Sequence, residues 1–241
     1  MALTAPHHLP LPEDDAPFPL ECGDTLDRET FHARYEAMPE DFRAELIEGI
    51  VYLTAAVPGP YSRSHSRFHS TVAAWLSCYG AATPGLESYV SPTIFLGRSE
   101  LQPDACLLIT PSCGGQSGVN GDYLSGAPEL VAAVATSHAS IDLHATRHLY
   151  ESAGVQEYVV VLVRQPFVFW FRSVDGRLQQ VPPDADGCFR SEVVPGLWLD
   201  PAALLRLDSA GVLRKLQEGL ASPEHAELVA RLAAARGEAE A

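Results

Sequence analysis

Lysine is almost absent from this chain. Lys215 is the only lysine among 241 residues, and the other strongly basic side chains are all arginine. The sequence also lacks any run of eighteen apolar residues, so we expect no transmembrane helix. It has no CxxC pair, and its five cysteines are odd in number and widely spaced. That pattern favours free thiols in a reducing compartment over a disulfide framework, and we expect a cytoplasmic protein.

Positively charged side chains are also few, with 16 Lys and Arg against 31 Asp and Glu. The net charge is −15, which disfavours non-specific binding to nucleic acid, because neutralisation of phosphates by Lys and Arg supplies most of that affinity. The acidic excess is uneven, since residues 1–48 hold twelve acids against three arginines and carry −9 of the total. The remaining residues carry less negative charge, and their composition is compatible with a local groove lined by arginine. Nucleic acid is therefore not excluded as a partner, although the net charge does not support it.

The composition changes along the chain in a way that divides it into three parts. Residues 1–26 are acidic and rich in proline, which is typical of a flexible arm and of neither a signal peptide nor a transit peptide. Residues 27–206 hold the hydrophobic segments of one large domain. Residues 207–241 are rich in Ala, Glu and Arg, which predicts a C-terminal helical tail.

Strands and helices alternate in the predicted domain. Asp27 is a suitable N-cap for a first helix that runs to about Met38. Apolar spacing predicts further helices over 64–78, 141–153 (capped by Ser140 or Asp142, and ended by Gly154) and 202–236. Strands are predicted at 44–47, 50–54, 88–96, 104–109, 130–135, 157–163 and 167–172. This order predicts an α/β or α+β fold with a mixed β-sheet flanked by helices.

Four segments of the chain carry a resemblance to a known family. They are Ala44 to Gly49, Leu101 to Asp104, Gly126 to Val131, and Asp142 through Tyr158. Their order and spacing are similar to those of the Uma-two family of restriction endonucleases, in the PD-(D/E)xK nuclease superfamily. His65, which opens the second helix, and the segment Pro195 to Asp200 are similar as well. The likeness covers roughly residues 28–206.

The resemblance implies a restriction-endonuclease-like fold, a homodimer and a Mg²⁺-dependent site. Asp104 matches the first aspartate of the family motif, and Glu45 matches the glutamate of the family's Y-E-L-I-D-G segment. Both would be metal ligands, because Mg²⁺ prefers carboxylate oxygens. In phosphodiester hydrolysis the metal lowers the pKa of the attacking water, and a nearby lysine stabilises the developing charge.

The chain departs from the family motif at two positions. Ala133 stands where the family has a glutamate, and Thr146 stands where it has a lysine. Alanine offers no ligand, and threonine offers neither positive charge nor a long reach. Arg147 is a poor substitute, because adjacent residues point about a hundred degrees apart around a helix. The substitutions favour a degenerate nuclease, or pseudoenzyme, that acts in binding or assembly and holds Mg²⁺ weakly or not at all.

Two alternatives remain open. An active Mg²⁺-dependent endonuclease requires that the missing ligand has moved, for example to Glu129, Asp142 or His138. The second alternative is a zinc site formed by His138, His144 and His148. His144 and His148 have the i,i+4 spacing on one helix face that can bind zinc. The chain offers no HExxH motif and no clear third ligand, so an exposed polar face is the favoured interpretation of the two helical histidines.

Overall fold

The computed structural model describes residues 19–53, 61–136 and 139–239. Within these ranges the chain forms two six-stranded mixed sheets and a two-stranded ribbon, with helices packed around them. The predicted α+β class with a mixed, helix-flanked sheet is therefore confirmed, although the strands are divided between two sheets rather than one.

The first sheet has the strand order β2-β1-β5-β4-β8-β7. All its pairs are antiparallel except β4 with β8, which run parallel. Its strands are β1 (Ala44–Ile47), β2 (Ile50–Leu53), β4 (Ile94–Leu96), β5 (Ser99–Leu101), β7 (Gly118–Asn120) and β8 (Tyr123–Ser125).

The second sheet has the order β12-β11-β10-β9-β6-β3. Its central pair, β9 with β10, is parallel and fully buried along β9, as expected for a continuous apolar run covered on both faces. Its strands are β3 (Leu86–Val90), β6 (Ala105–Ile109), β9 (Leu130–Ala135), β10 (Glu157–Leu162), β11 (Phe167–Val174) and β12 (Arg177–Val181). The ribbon pairs β13 (Phe189–Arg190) with β14 (Trp198–Leu199).

The helices begin and end close to the predicted signals. Asp27 caps the first helix by accepting from the Thr30 amide, and Gly154 ends another in the left-handed conformation that glycine adopts at little cost. The helices are α1 (Arg28–Glu36), α2 (Ser62–Ala82), α3 (Ala139–Ile141), α4 (Arg147–Ala153), α5 (Pro201–Leu205), α6 (Ser209–Leu220) and α7 (Pro223–Ala239).

Two predicted elements differ from the structure. The strand predicted over 88–96 is split, because Val90 ends β3 in the second sheet and Ile94 starts β4 in the first. The helix predicted over 141–153 contains a π-helical turn, Asp142–Thr146, between α3 and α4. Ser140 and Asp142 therefore lie inside a helical segment that begins at Ala139, and the prediction that one of them caps it was wrong. π-Turns of this kind often occur at functional sites.

Side chains from the two sheets meet in a shared core. Leu101 and Leu124 of the first sheet pack with Cys106, Val131 and Val160 of the second. The opposite face of the second sheet packs against α2 and the C-terminal helices. The buried side chains there are Trp75 of α2, Val212 and Leu216 of α6, and Leu228 and Leu232 of α7. A smaller cluster joins α1 to the outer face of the first sheet.

Both ends of the described chain pack against this body. Leu20 is buried, and the Gly23 amide donates to the carbonyl of Val51 in β2. At the other end, Leu228 of α7 belongs to the core beneath the second sheet. The division into arm, domain and tail stays a prediction. Among the described helices, none is long and apolar enough to cross a membrane.

Candidate active-site cleft

The alternation of side chains along two strands directs Glu45 and Asp104 into the space between the sheets. Glu45 lies between Ala44 and Leu46, which face α1, so it shares the inward face with Ile47. Asp104 precedes β6, in which Cys106 faces the shared core and Ala105 faces the other side. By the same two-residue period, Asp104 points to the face that carries Glu45.

Asp104 is held by the neighbouring strand and by a helix. The Val134 amide donates to Asp104 Oδ2 at 2.6 Å, and His69 Nε2 lies 3.4 Å from Asp104 Oδ1. Burial raises the pKa of this carboxyl. The Val134 hydrogen bond and the charges of His69 and His65 act in the opposite direction. Asp104 is thus a fixed, partly exposed carboxylate at the edge of the second sheet.

Glu45 and Asp142 complete a group of three carboxyls that we call the carboxylate cluster. Burial, followed by the charges of Asp142 and Asp104, raises the pKa of Glu45 to about 7, although the Gln102 amide donates to Glu45 Oε1 at 2.9 Å. Burial and the charge of Asp104 also raise the pKa of Asp142 to about 7. Each carboxyl thus makes ionisation of a neighbour more costly.

Ala133 and Thr146, the two positions at which the resemblance places a glutamate and a lysine, lie beside this cluster. Ala133 is buried in the shared core, directly before the residue whose amide holds Asp104. Thr146 is buried in the π-turn, about one helical turn from Asp142 on one side and from Tyr150 on the other. The pKa of Tyr150 is raised well above its ordinary value by burial and then by Glu45 and Asp142, which locates this helix face near the cluster.

No basic side chain replaces the missing lysine within the described part of the chain. The positive charges that act on the pKa values of the three carboxyls come from His65 and His69, and none comes from Arg or Lys. Arg147 instead places its guanidinium carbon 5.1 Å from the ring centre of Phe171, as its position on the helix suggested. Lys215 pairs with Glu218 on α6.

Two buried hydroxyls near the cluster have no hydrogen-bond partner among the described residues, Thr146 Oγ1 and Tyr158 Oη. Burial and then the charge of Asp142 raise the pKa of Tyr158 well above its ordinary value. An unpartnered buried hydroxyl costs free energy. Polar atoms of this kind are suited to contact water or a ligand that enters the cleft.

Comparisons with known proteins show the family to which the chain belongs. The family model described as "Uma2: Putative restriction endonuclease" matches residues 28–202, well over half of the chain. The chain belongs to the Uma2 family. The match covers Glu45, Asp104 and the segment from Ala133 to Thr146.

A solved structure supports the same fold. The chain is similar to a "putative nuclease belonging to DUF820" from Anabaena variabilis, with a TM-score of 0.57 and 15% sequence identity over 76% of this chain and 98% of that one. At this identity the likeness concerns the fold alone. No curated protein matches the chain.

Among the described residues, the other candidates for ligands in this Uma2 protein, Glu129, His144 and His148, do not join the cluster. Glu129 precedes β9, at the end of the strand opposite to Val134, and its carboxylate accepts from the Ile109 amide at 2.7 Å. The Glu129 carboxylate therefore holds the last residue of β6 in place. His144 and His148 are exposed, which confirms the polar face that we favoured for them. His138 lies outside the described residues.

Sequence reasoning missed His69 and gave Asp142 only as an alternative. His69 follows His65 by four residues, and their rings lie 6.2 Å apart on one face of α2. That spacing was the available signal. Asp142 lies near Glu45 and Asp104 because it belongs to the π-turn, and the sequence pattern did not predict that turn.

The carboxyl groups of the cluster are of the type that binds a hard divalent cation, but they are not spaced closely enough to bind one together. Three carboxyls supply the oxygen donors that Mg²⁺ prefers, and burial, the largest cause of their raised pKa values, makes their ionisation costly. Among the described residues, however, no three His, Cys, Asp or Glu side chains converge closely enough to hold a metal together. The residues present therefore fit a loosely held, largely hydrated ion.

Proposed function

We propose that this Uma2 protein is a degenerate nuclease that acts by binding or assembly and does not hydrolyse nucleic acid efficiently. The observation that carries the proposal is the surroundings of the carboxylate cluster. Ala133 adjoins Asp104 without offering a ligand, and no Arg or Lys of the described residues acts on the three carboxyls.

The reason is the charge that phosphodiester cleavage develops. Restriction endonucleases generally depend on a divalent metal, which neutralises that charge and supplies an ionised water. In this chain such an ion would be held by at most two of Glu45, Asp104 and Asp142 at a time, and we expect weak binding because no third ligand of the described residues converges with any two of them. Without a lysine, the negative transition state would meet a negatively charged cleft.

A second candidate function is a Mg²⁺-dependent endonuclease with a relocated ligand. One observation favours it: Asp142 provides a third carboxyl whose charge acts on Glu45. In that case Asp142 would replace the glutamate lost at Ala133. His69, beside Asp104, would be the nearest basic group available in place of the lysine.

Cleavage assays with matched variants separate the two functions. Supercoiled plasmid, single-stranded DNA and RNA are incubated with Mg²⁺ or Mn²⁺ and with the wild-type protein, Asp104→Ala or Asp142→Ala. We expect the wild type to cut no faster than Asp104→Ala. Cleavage that is abolished by both substitutions would overturn the proposal and identify Asp142 as the relocated ligand.

The assembly and location of the protein stay predictions. The homodimer follows from the family resemblance, and light scattering of the purified chain measures it directly. Binding of nucleic acid is tested by fluorescence anisotropy at low and high salt, because contacts to phosphates weaken steeply as salt increases. A cytoplasmic location remains the expectation from the cysteine pattern.

A further inference from the structure

A separate cleft of about 320 Å³ lies between α1, the segment 38–43 that follows it, and the outer face of the first sheet. Glu100 and Tyr123 reach it from β5 and β8, where their neighbours Leu101 and Leu124 point into the shared core. The cleft is therefore on the opposite side of this sheet from the carboxylate cluster. Its volume is in the range of pockets that bind small molecules.

Aromatic rings form much of its wall. His32, Tyr35, Phe42 and Tyr123 line the cleft. The rings of His32 and Tyr123 meet edge to face at 4.9 Å, and Tyr35 lies 6.4 Å from Phe42. The faces of such rings carry partial negative charge and attract cations within about 6 Å.

Three glutamates add full negative charge to these rings. Glu100 has a side chain only 3% exposed, and its Oε1 lies 3.0 Å from His32 Nδ1. Glu36 lies nearer the solvent, accepts from the Tyr123 hydroxyl at 2.9 Å and is 3.5 Å from His32 Nε2. Glu40 also lines the cleft, and it forms no ion pair with any described residue.

The one arginine of the wall does not neutralise this charge. Arg43 Nη1 donates to the main-chain carbonyls of Glu40 at 2.6 Å and Phe42 at 2.8 Å. These two hydrogen bonds hold its guanidinium against the main chain of the segment after α1. In the described chain the guanidinium pairs with none of the three carboxylates. Even when His32, which lies between Glu100 and Glu36, is counted as a cation together with Arg43, the three glutamates leave a small excess of negative charge beside the aromatic faces.

We propose that this cleft binds an organic cation, an ammonium or guanidinium group on a short aliphatic stem. The stem packs between the rings of Tyr35, Phe42 and Tyr123, and the cationic head reaches Glu36 and Glu40. Charge-assisted hydrogen bonds and cation–π attraction act on the same group there. Phosphates and other anions are repelled, so the cleft is distinct from any nucleic-acid surface. The cation is either a free small molecule or the Lys or Arg side chain of a partner.

Amide chemical-shift titrations of the full chain test this proposal. The probes are n-butylammonium, its neutral analogue butan-1-ol, agmatine and a capped Gly-Arg-Gly peptide. We expect saturable shifts around Tyr35, Phe42 and Tyr123 with n-butylammonium and agmatine, and binding of butan-1-ol at least about tenfold weaker. Tighter binding of agmatine than of the peptide indicates a free small molecule, and the reverse order indicates a partner's side chain.

Variants with matched charge complete the design. Glu36→Gln and Glu40→Gln change exposed side chains and should each weaken n-butylammonium about tenfold. Glu218→Gln, on α6, removes the same charge from a residue exposed to the same degree (57% against 58% for Glu36), and binding should stay unchanged. Equal affinity for n-butylammonium and butan-1-ol, or equal weakening by all three substitutions, overturns the proposal. So does an absence of saturable binding.

Discussion

The amide of Val134 donates a hydrogen bond of 2.6 Å to Asp104 Oδ2. Asp104 directly precedes β6, which begins at Ala105, and its carboxylate accepts from β9 beyond the last β6–β9 residue pair, Ala105 with Ala132. The expected metal ligand is therefore fixed by the residue adjacent to Ala133. On the proposed function, this Uma2 protein keeps the hydrogen bond that positions Asp104, while Ala133, the residue before Val134, offers no ligand.

The first prediction concerns stability and pH. The pKa values of Glu45 and Asp142 are raised to about 7, whereas both are about 4 in an unfolded chain. Between these values the folded state binds more protons than the unfolded state, so the free energy of unfolding falls as pH rises from about 4 to about 7. Glu45→Gln should remove its share of this loss, on the order of 2 kcal/mol, measured by urea unfolding at about pH 5 and about pH 8.

Glu218→Gln is the control for that experiment, because Glu218 is exposed and is not among the groups that act on the pKa values of the three carboxyls. It should keep the full pH dependence of the wild type. If Glu45→Gln and wild type lose the same stability between the two pH values, the carboxyl of Glu45 is not protonated in the folded protein near neutral pH.

The second prediction concerns the hydroxyl of Thr146, which is buried without a partner in the described chain. Thr146→Val removes it with little change of shape and should stabilise the protein by up to about 1 kcal/mol. Thr71→Val is the matched control. Its equally buried hydroxyl donates to the Arg67 carbonyl at 2.9 Å and lies 2.7 Å from Ser209 Oγ, so its loss should destabilise the fold by about 1 kcal/mol. Equal destabilisation by both would show that Thr146 has a partner.

The third prediction concerns the C-terminal helices. Leu228 of α7 is fully buried against the core beneath the second sheet, so Leu228→Ala should cost about 2–5 kcal/mol in the free energy of unfolding. Val229→Ala, on a half-exposed position of the same helix, should cost less than about 1 kcal/mol. A small effect of Leu228→Ala would mean that α7 is an independent tail.

Local signals were enough to predict many elements of this fold. β9 was predicted at Leu130–Ala135, its observed bounds, because an apolar run between polar residues needs no distant information. The cap at Asp27 and the helix end at Gly154 were also correct, since each depends on a few neighbouring residues.

Features that depend on distant contacts were not predictable in this way. Nothing near Ser91 indicates that the chain passes from one sheet to the other there, because the assignment depends on which strands pair. Glu45 and Asp104 came from the family resemblance. His69 joins Asp104 only through the packing of α2 at the sheet edge, and Asp142 joins through the π-turn.

The most direct test of the proposal that the site is degenerate is to introduce the two groups that the family resemblance places at Ala133 and Thr146. Ala133→Glu with Thr146→Lys should bind Mn²⁺ at least about tenfold more tightly than wild type, measured by the electron paramagnetic resonance of free Mn²⁺ at about pH 8. Ala133→Gln with Thr146→Lys is the matched control, and it should bind no better than wild type. Because the added glutamate is ionised in a poorly solvated cleft, the restored variant should be less stable than wild type in chelator and regain stability with Mn²⁺. Mn²⁺ affinity that is the same in the restored variant, its control and wild type would contradict the account, because Ala133 and Thr146 would then not face a common site.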